Sequence, residues 1–194
     1  MNIMPNILVK DSEGNTRMMD IYSKLANDRN IFLIGTIDED LAGSIIMQLL
    51  HLNSDNPETP ICLYINSNGG EAKSSFGIID VIRSLRAPVY TYCIGSCASA
   101  AALIFSSGEK GNRYLYPHSR LMIHAIQGTM NGPMSNVSAN YQLMESLNND
   151  VCKIISENTG KSVETVLEDT LKDYWMTSDM AIKYGLADKI IQAR

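Results

Sequence analysis

The 194-residue sequence predicts an α/β fold. Short apolar runs of strand length alternate along it with segments of helical period, the rhythm of strands joined by crossover helices. Most of these runs are β-branched or aromatic and nearly continuous in apolarity, as strands of a sheet covered on both faces must be. No internal repeat or low-complexity segment breaks the pattern, and the chain suits a single sizeable core better than two.

Taken in order, the strand candidates are NIFLIG (30–35), ICLYIN (61–66), VYTYCI (89–94), RYLYP (113–117), RLMIHAI (120–126) and KIIQ (189–192). Between the first two, Leu41, Ile45, Ile46, Leu49, Leu50 and Leu52 form the apolar stripe of one crossover helix. Phe76, Ile79, Val81, Ile82 and Leu85 form that of a second. GTMNGPMS (128–135) carries two glycines and a proline and reads as a loop. A helical pattern then runs from about Asn136 to Asn158 and closes at Gly160 as a C-cap. That helix is too long to lie across one small sheet, so it is expected to project from the head. Ser162 or Thr165 is expected to cap the next helix, and Ser178 the short one that stops at Gly185.

Composition excludes several classes. A formal charge of -5 and a pI near 5.2 provide no basic patch for a phosphate backbone, so nucleic acid and anionic membranes are not expected partners. Cys62, Cys93, Cys97 and Cys152 make no CxxC pair and the histidines no HExxH, so neither a disulfide framework nor a zinc site is expected. The longest apolar run, Cys97 to Phe105, is far too short to span a bilayer, and the N-terminus lacks a long apolar stretch. A cytoplasmic location is expected.

Chemistry concentrates in CIGSCASAAALIF (93–105). Gly95 follows a strand and the helical pattern resumes at about Ala98, which places Ser99 in the first turn of a helix. There, backbone N–H groups and the helix dipole favour a developing negative charge. Ser96 lies in the turn and reads as a turn or capping residue. The motif is not GxSxG, and a serine in an Ala-rich helix is by itself an ordinary packing residue. In YINSNGG (64–70) a strand ends in a polar turn with paired glycines, either a plain positive-φ turn or a bare backbone N–H facing a substrate carbonyl. Such turns gather at the carboxyl ends of strands, where α/β sheets bind ligands.

Alternation in RLMIHAI puts His124 where an apolar residue belongs, on a face with Met122 and Ile126. His51 falls in a helix and His118 in a turn, so His124 is the best candidate base. The orienting carboxylate is left open among Asp150, Asp169, Asp173, Asp179 and Asp188. A slight preference goes to Asp173, because the bulk of Tyr174 and Trp175 can bury it against an imidazole.

YINSNGG, GSCASAAALIFSSG, PHSRLMIH and EDTLKDYWMTSDMAIKYGLAD together resemble the ClpP family, the proteolytic subunits of the Clp protease. The likeness runs in one register from about Asp20 to the end of the chain. It implies a crotonase-like α/β head with a projecting helical handle at about 128–160 and an N-terminal axial segment at 1–19, all in a single domain, 1–194. It implies a serine endopeptidase whose triad falls on Ser99, His124 and Asp173, with oxyanion donors at Gly70 and Ala100. It also implies two stacked heptameric rings enclosing a chamber, sometimes completed by a second isoform and fed with unfolded polypeptide by an AAA+ unfoldase; the unfoldase uses the ATP, so no metal or bound cofactor is implied for this chain. Departures from the family pattern are Asn68 for Pro, Ala100 for Met, and Cys62 and Ser84 where aromatics usually line the unfoldase-docking pocket, Tyr64 and Tyr114 remaining. Leu171 and Lys172 replace an acid–arginine pair that helps join the rings. Two other readings stand beside this one. A crotonase-type acyl-CoA enzyme leaves Ser99 and His124 unexplained, and a structural subunit that has lost activity leaves the complete triad unexplained.

Overall fold

The computed structural model describes residues 5–10, 14–129 and 132–192. Parts of the expected axial segment and of the loop at 128–135 therefore lie outside the described residues. Asn6–Lys10 (β1) and Thr16–Asp20 (β2) form an antiparallel pair, followed by Ile21–Asn27 (α1), Asn30–Ile34 (β3), Glu39–Asp55 (α2), Ile61–Ser67 (β4) and Ala72–Ser84 (α3). Val89–Ala98 (β5), Ala100–Ser106 (α4), Arg113–Leu115 (β6), Arg120–Ile123 (β7) and Met134–Thr159 (α5) come next. Val163–Asp169 (α6), Tyr174–Thr177 (β8), Ser178–Tyr184 (α7) and Lys189–Ile190 (β9) complete the order.

The main sheet runs β3-β4-β5-β6-β9 in parallel, and β5 carries a fork. Its first half pairs with β6, and its last residues, Ser96 to Ala98, pair with β7. On the far side of β7, β8 runs antiparallel. Ile31, Leu33, Ile61, Leu63 and Ile65 of β3 and β4 are wholly or almost wholly buried, as are Ile45 and Leu49 of α2 and Ile78 and Ile79 of α3. Each such side chain contributes about 1.5–3 kcal/mol over its exposed state.

Every residue of α4 is buried. The helix packs against α3, α5, β4 and β5, and Ala100, Ala101 and Ala102 allow that approach because they add no more than a methyl group. The smallness of this stretch is therefore partly a packing requirement.

Several boundaries differ from the sequence reading. The strand expected to stop at Ile94 continues to Ala98, and the helix begins at Ala100 rather than near Ala98. A bulge causes this: Ile65 pairs with Cys93 and Ser67 with Cys97, so a short step on β4 matches a longer one on β5. Asn66 fills the gap, its Oδ1 accepting the Ser96 N–H at 3.2 Å. A Cβ at Gly95 would lie 2.9 Å from that same oxygen, which with φ +93° requires glycine. Ser162 caps α6 as expected, whereas Thr177, not Ser178, caps α7 by accepting the Met180 N–H. Ser178 instead turns inward and donates to the Tyr116 carbonyl at 2.9 Å.

Helix α5 ends at Gly160 in the left-handed conformation. Its buried residues, Val151, Cys152 and Ile155, all lie in its second half. The first half extends beyond the head, with Met134, Tyr141 and Leu143 exposed.

Candidate active site

Three adjacent strand ends meet at one place. β5 delivers Ser99, β7 delivers His124 immediately after Ile123, and Asp173 immediately precedes β8. Ala98 pairs with Met122, and the Ser99 N–H donates to the Met122 carbonyl at 2.8 Å, which seats the serine beside the next residues of β7. On the other flank Ile123 pairs with Tyr174, so the next pair in the antiparallel register is His124 with Asp173. The register of the sheet thus brings the three residues side by side. Ser99 Oγ lies 2.8 Å from His124 Nε2, and His124 Nδ1 lies 3.1 Å from Asp173 Oδ1.

Ser99 occupies φ 56°, ψ −125° as the residue that caps α4. A β-substituted residue there costs about 1–3 kcal/mol and persists only where its surroundings over-determine it. Here the backbone is held on both sides: Ser99 N–H is bound to Met122, and its carbonyl accepts the Ala102 N–H at 2.9 Å. The result is a sharp strand-to-helix turn that aims the hydroxyl outward. Its side chain makes no capping bond to its own helix.

Gly69 and Gly70 lie against this turn. A Cβ at Gly69 would come within 2.8 Å of both the Ala98 carbonyl and the Ser99 Cβ, and one at Gly70 within 2.1 Å of the Ile37 carbonyl. Gly70 forms a parallel bridge with Ile37 that uses the Gly69 carbonyl and the Glu71 N–H, leaving the Gly70 N–H outside the bridge. The Ala100 N–H, in the first turn of α4, belongs to the group that a helix leaves without an internal acceptor. A cavity of about 490 Å³ opens over these groups, its wall including Gly70, Ser99, Ala100 and His124, and an apolar side including Leu103 and Ile155.

His51 and His118 are exposed elsewhere, leaving His124 as the histidine of the cavity. Asp150, Asp169, Asp179 and Asp188 do not reach it: Asp169 accepts from Tyr184 Oη at 2.8 Å, and Asp188 pairs with Arg113. The expectation that Tyr174 and Trp175 bury Asp173 is corrected. The Asp173 side chain is 53% exposed and Trp175 points outward, because alternation along β8 turns Met176 to the core and its neighbours out. What holds the turn before Asp173 is hydrogen bonding: the Ala125 N–H donates to the Thr170 carbonyl at 2.8 Å, and the Tyr184 hydroxyl donates to the Asp169 carboxylate at 2.8 Å. Sequence reading missed this support, although the YWMT segment, apolar and aromatic, carries the signal of the β8 strand that creates it.

Among the described residues no cluster of His, Cys, Asp or Glu is arranged to hold a metal ion, and no helix is long and apolar enough to cross a membrane.

Residues 12–194 match the sequence profile of the family described as Clp protease. The chain is similar to the ATP-dependent Clp protease proteolytic subunit 2 of Chlamydia trachomatis serovar D, 42% identical over 193 residues that span 100% of this chain and 95% of that protein. It is similar to subunit 1 of Chlamydia felis, 41% identical over the same share of each chain, and to subunit 2 of Chlamydia pneumoniae, 41% identical over 98% of this chain and 94% of that one. The chain belongs to the Clp protease family, and its α/β architecture is the crotonase-like fold of that family.

Proposed function

We propose that the chain is the proteolytic subunit of an ATP-dependent Clp protease and a serine endopeptidase, with Ser99 as nucleophile, His124 as general base and acid, and Asp173 as the orienting carboxylate. The observation that supports this reading most is the 2.8 Å contact between Ser99 Oγ, on its strained turn, and His124 Nε2. Asp173 accepts from the His124 Nδ1–H and so favours the tautomer in which Nε2 takes the Ser99 proton. As Oγ bonds to the scissile carbonyl carbon, the proton passes to Nε2 and the carbonyl oxygen becomes an oxyanion. The N–H groups of Gly70 and Ala100 are the proposed donors to it, each worth about 10²–10³ in rate at such a site. Collapse breaks the C–N bond, His124 returns its proton to the departing amine, and the acyl group remains on Ser99. Water then attacks with His124 again as base, releasing the carboxylic acid and restoring the Ser99 hydroxyl.

Assembly into two stacked heptameric rings, docking of an AAA+ unfoldase that consumes the ATP, and a cytoplasmic setting belong to the same proposal. Tyr64 and Tyr114, the proposed docking aromatics, stand in a stacked row with Phe32 and Tyr92 across β3 to β6, with centroid spacings of 5.1, 4.6 and 4.8 Å. An acyl-CoA enzyme has no use for the Ser99–His124 contact, and retention on an acyl-CoA column would favour it. The direct test of the peptidase reading is hydrolysis of a short fluorogenic peptide without nucleotide. Turnover by the wild-type protein and none by Ser99→Ala supports the proposal, and equal turnover by both contradicts it.

A further inference from the structure

The cavity over Ser99 has a single sign of charge. Among the described residues, the charged side chains in its wall besides His124 are Asp38 and Glu71, and no lysine or arginine lines it. Lys73 is near in sequence, but it does not contribute to the wall. Asp38 and Glu71 sit at the N-terminal ends of α2 and α3, brought together by the Ile37–Gly70 bridge.

The two carboxylates are not equivalent. Asp38 caps α2, its Oδ1 accepting the Leu41 N–H at 2.8 Å, which engages it with its own helix. Glu71 occupies the capping position of α3 but makes no capping bond to the backbone. Its partner is the Ser74 hydroxyl at 2.9 Å, and the residue is exposed. It directly follows Gly70, so a polypeptide whose carbonyl meets the Gly70 N–H passes next to this carboxylate. The opposite side of the cavity is apolar, through Leu103, Ile126 and Ile155.

We infer that Glu71, assisted by Asp38, is a specificity-determining residue that favours polypeptides carrying lysine or arginine next to the apolar residue held in the cavity, and disfavours those carrying aspartate or glutamate there. This rests on the peptidase reading above. Glu71 stabilises a substrate ammonium or guanidinium through a partly exposed ion pair, so the effect is moderate and weakens as salt screens it.

The test is a set of internally quenched peptides, identical except for Lys, Gln or Glu at each position flanking the cleaved residue, assayed on the full chain at low and at 0.5 M salt. At one flanking position kcat/KM should favour Lys over Glu by about fivefold to tenfold at low salt, shrinking toward unity at high salt. Glu71→Gln should reduce that ratio to about twofold, and Glu71→Lys should invert it. Asp38→Ser, which keeps a capping oxygen, should lower the ratio less. A wild-type ratio near one at every position, or a ratio unchanged in Glu71→Gln, overturns the inference while cleavage of the Gln peptide upholds the peptidase reading. No cleavage of any peptide by wild type overturns both.

Discussion

At residue scale, the site depends on backbone positions that tolerate little change. Gly70→Ala places a methyl group 2.1 Å from the Ile37 carbonyl, so the strand end must move, and the proposed oxyanion donor with it. We expect kcat for a short peptide to fall by about 10²–10³-fold with KM little altered, measured on protein whose circular dichroism matches wild type. Asp173→Asn keeps the shape of the side chain but favours the wrong histidine tautomer, and kcat should fall by about 10⁴-fold. Ser99 was legible as a candidate from its place where a strand gives way to a helix, and His124 because it breaks the apolar alternation of its strand. The positive φ of Ser99 was not, since no residue type announces a strain imposed by bonds to Met122 and Ala102. Nor could composition choose among five aspartates: Asp173 is selected by the register of β7 against β8, a long-range pairing.

At the scale of elements, α4 is held at its far end by a buried polar network. Arg113, 3% exposed, forms a bidentate pair with Asp188 and donates to the Ser106 and Asn158 carbonyls, while Asn158 Nδ2 donates to Ser106 Oγ and Ser107 Oγ. The ends of α4 and α5 are thereby joined to β6. Burial pushes the Asp188 carboxyl up, but the hydrogen bonds from Arg113 and the Gly111 N–H outweigh it and hold the group below its ordinary 3.8. A carboxyl depressed on folding adds stability above its unfolded value, and that increment is lost as pH falls through the folded value. The melting temperature should therefore drop on acidification below about pH 4, and Asp188→Asn should flatten that part of the profile. At pH 7 the same variant should lose about 3–5 kcal/mol in urea melts, because it leaves Arg113 buried without its partner. Elements with strong period or apolarity were readable in the sequence, α2, α3, β4 and α5 among them. The β1–β2 pair was not, since it leaves Leu8 and Met18 exposed and so shows little burial pattern, and the end of β5 was hidden by the Asn66-filled bulge.

For the whole molecule, the exposed apolar residues of α5 and the turn before β8 bear on assembly. Leu171 is 77% exposed beside Lys172, at positions where the family resemblance implies an acid and an arginine joining two rings. Leucine accepts no charge-assisted hydrogen bond, and lysine lacks arginine's planar fork. Native mass spectrometry at low micromolar concentration should therefore show single rings or smaller species, and Leu171→Glu with Lys172→Arg should shift the population to double rings with higher peptidase activity. A wild-type chain found entirely as tetradecamers at that concentration contradicts this. Sequence could carry the fold to this scale but not the contacts, because an interface is set by how two folded surfaces fit, and residue patterns along one chain do not show which surfaces meet.

Labelling with a fluorophosphonate, read by intact mass and peptide mapping, decides whether one serine, Ser99, is activated by His124. A single adduct per chain is expected on Ser99, with none in Ser99→Ala, labelling slowed by about 10³-fold or more in His124→Ala, and normal labelling in Ser96→Ala, the Ser96 hydroxyl being buried without a partner among the described residues. An adduct on Ser96, or labelling of Ser99 at the same rate with and without His124, would contradict it.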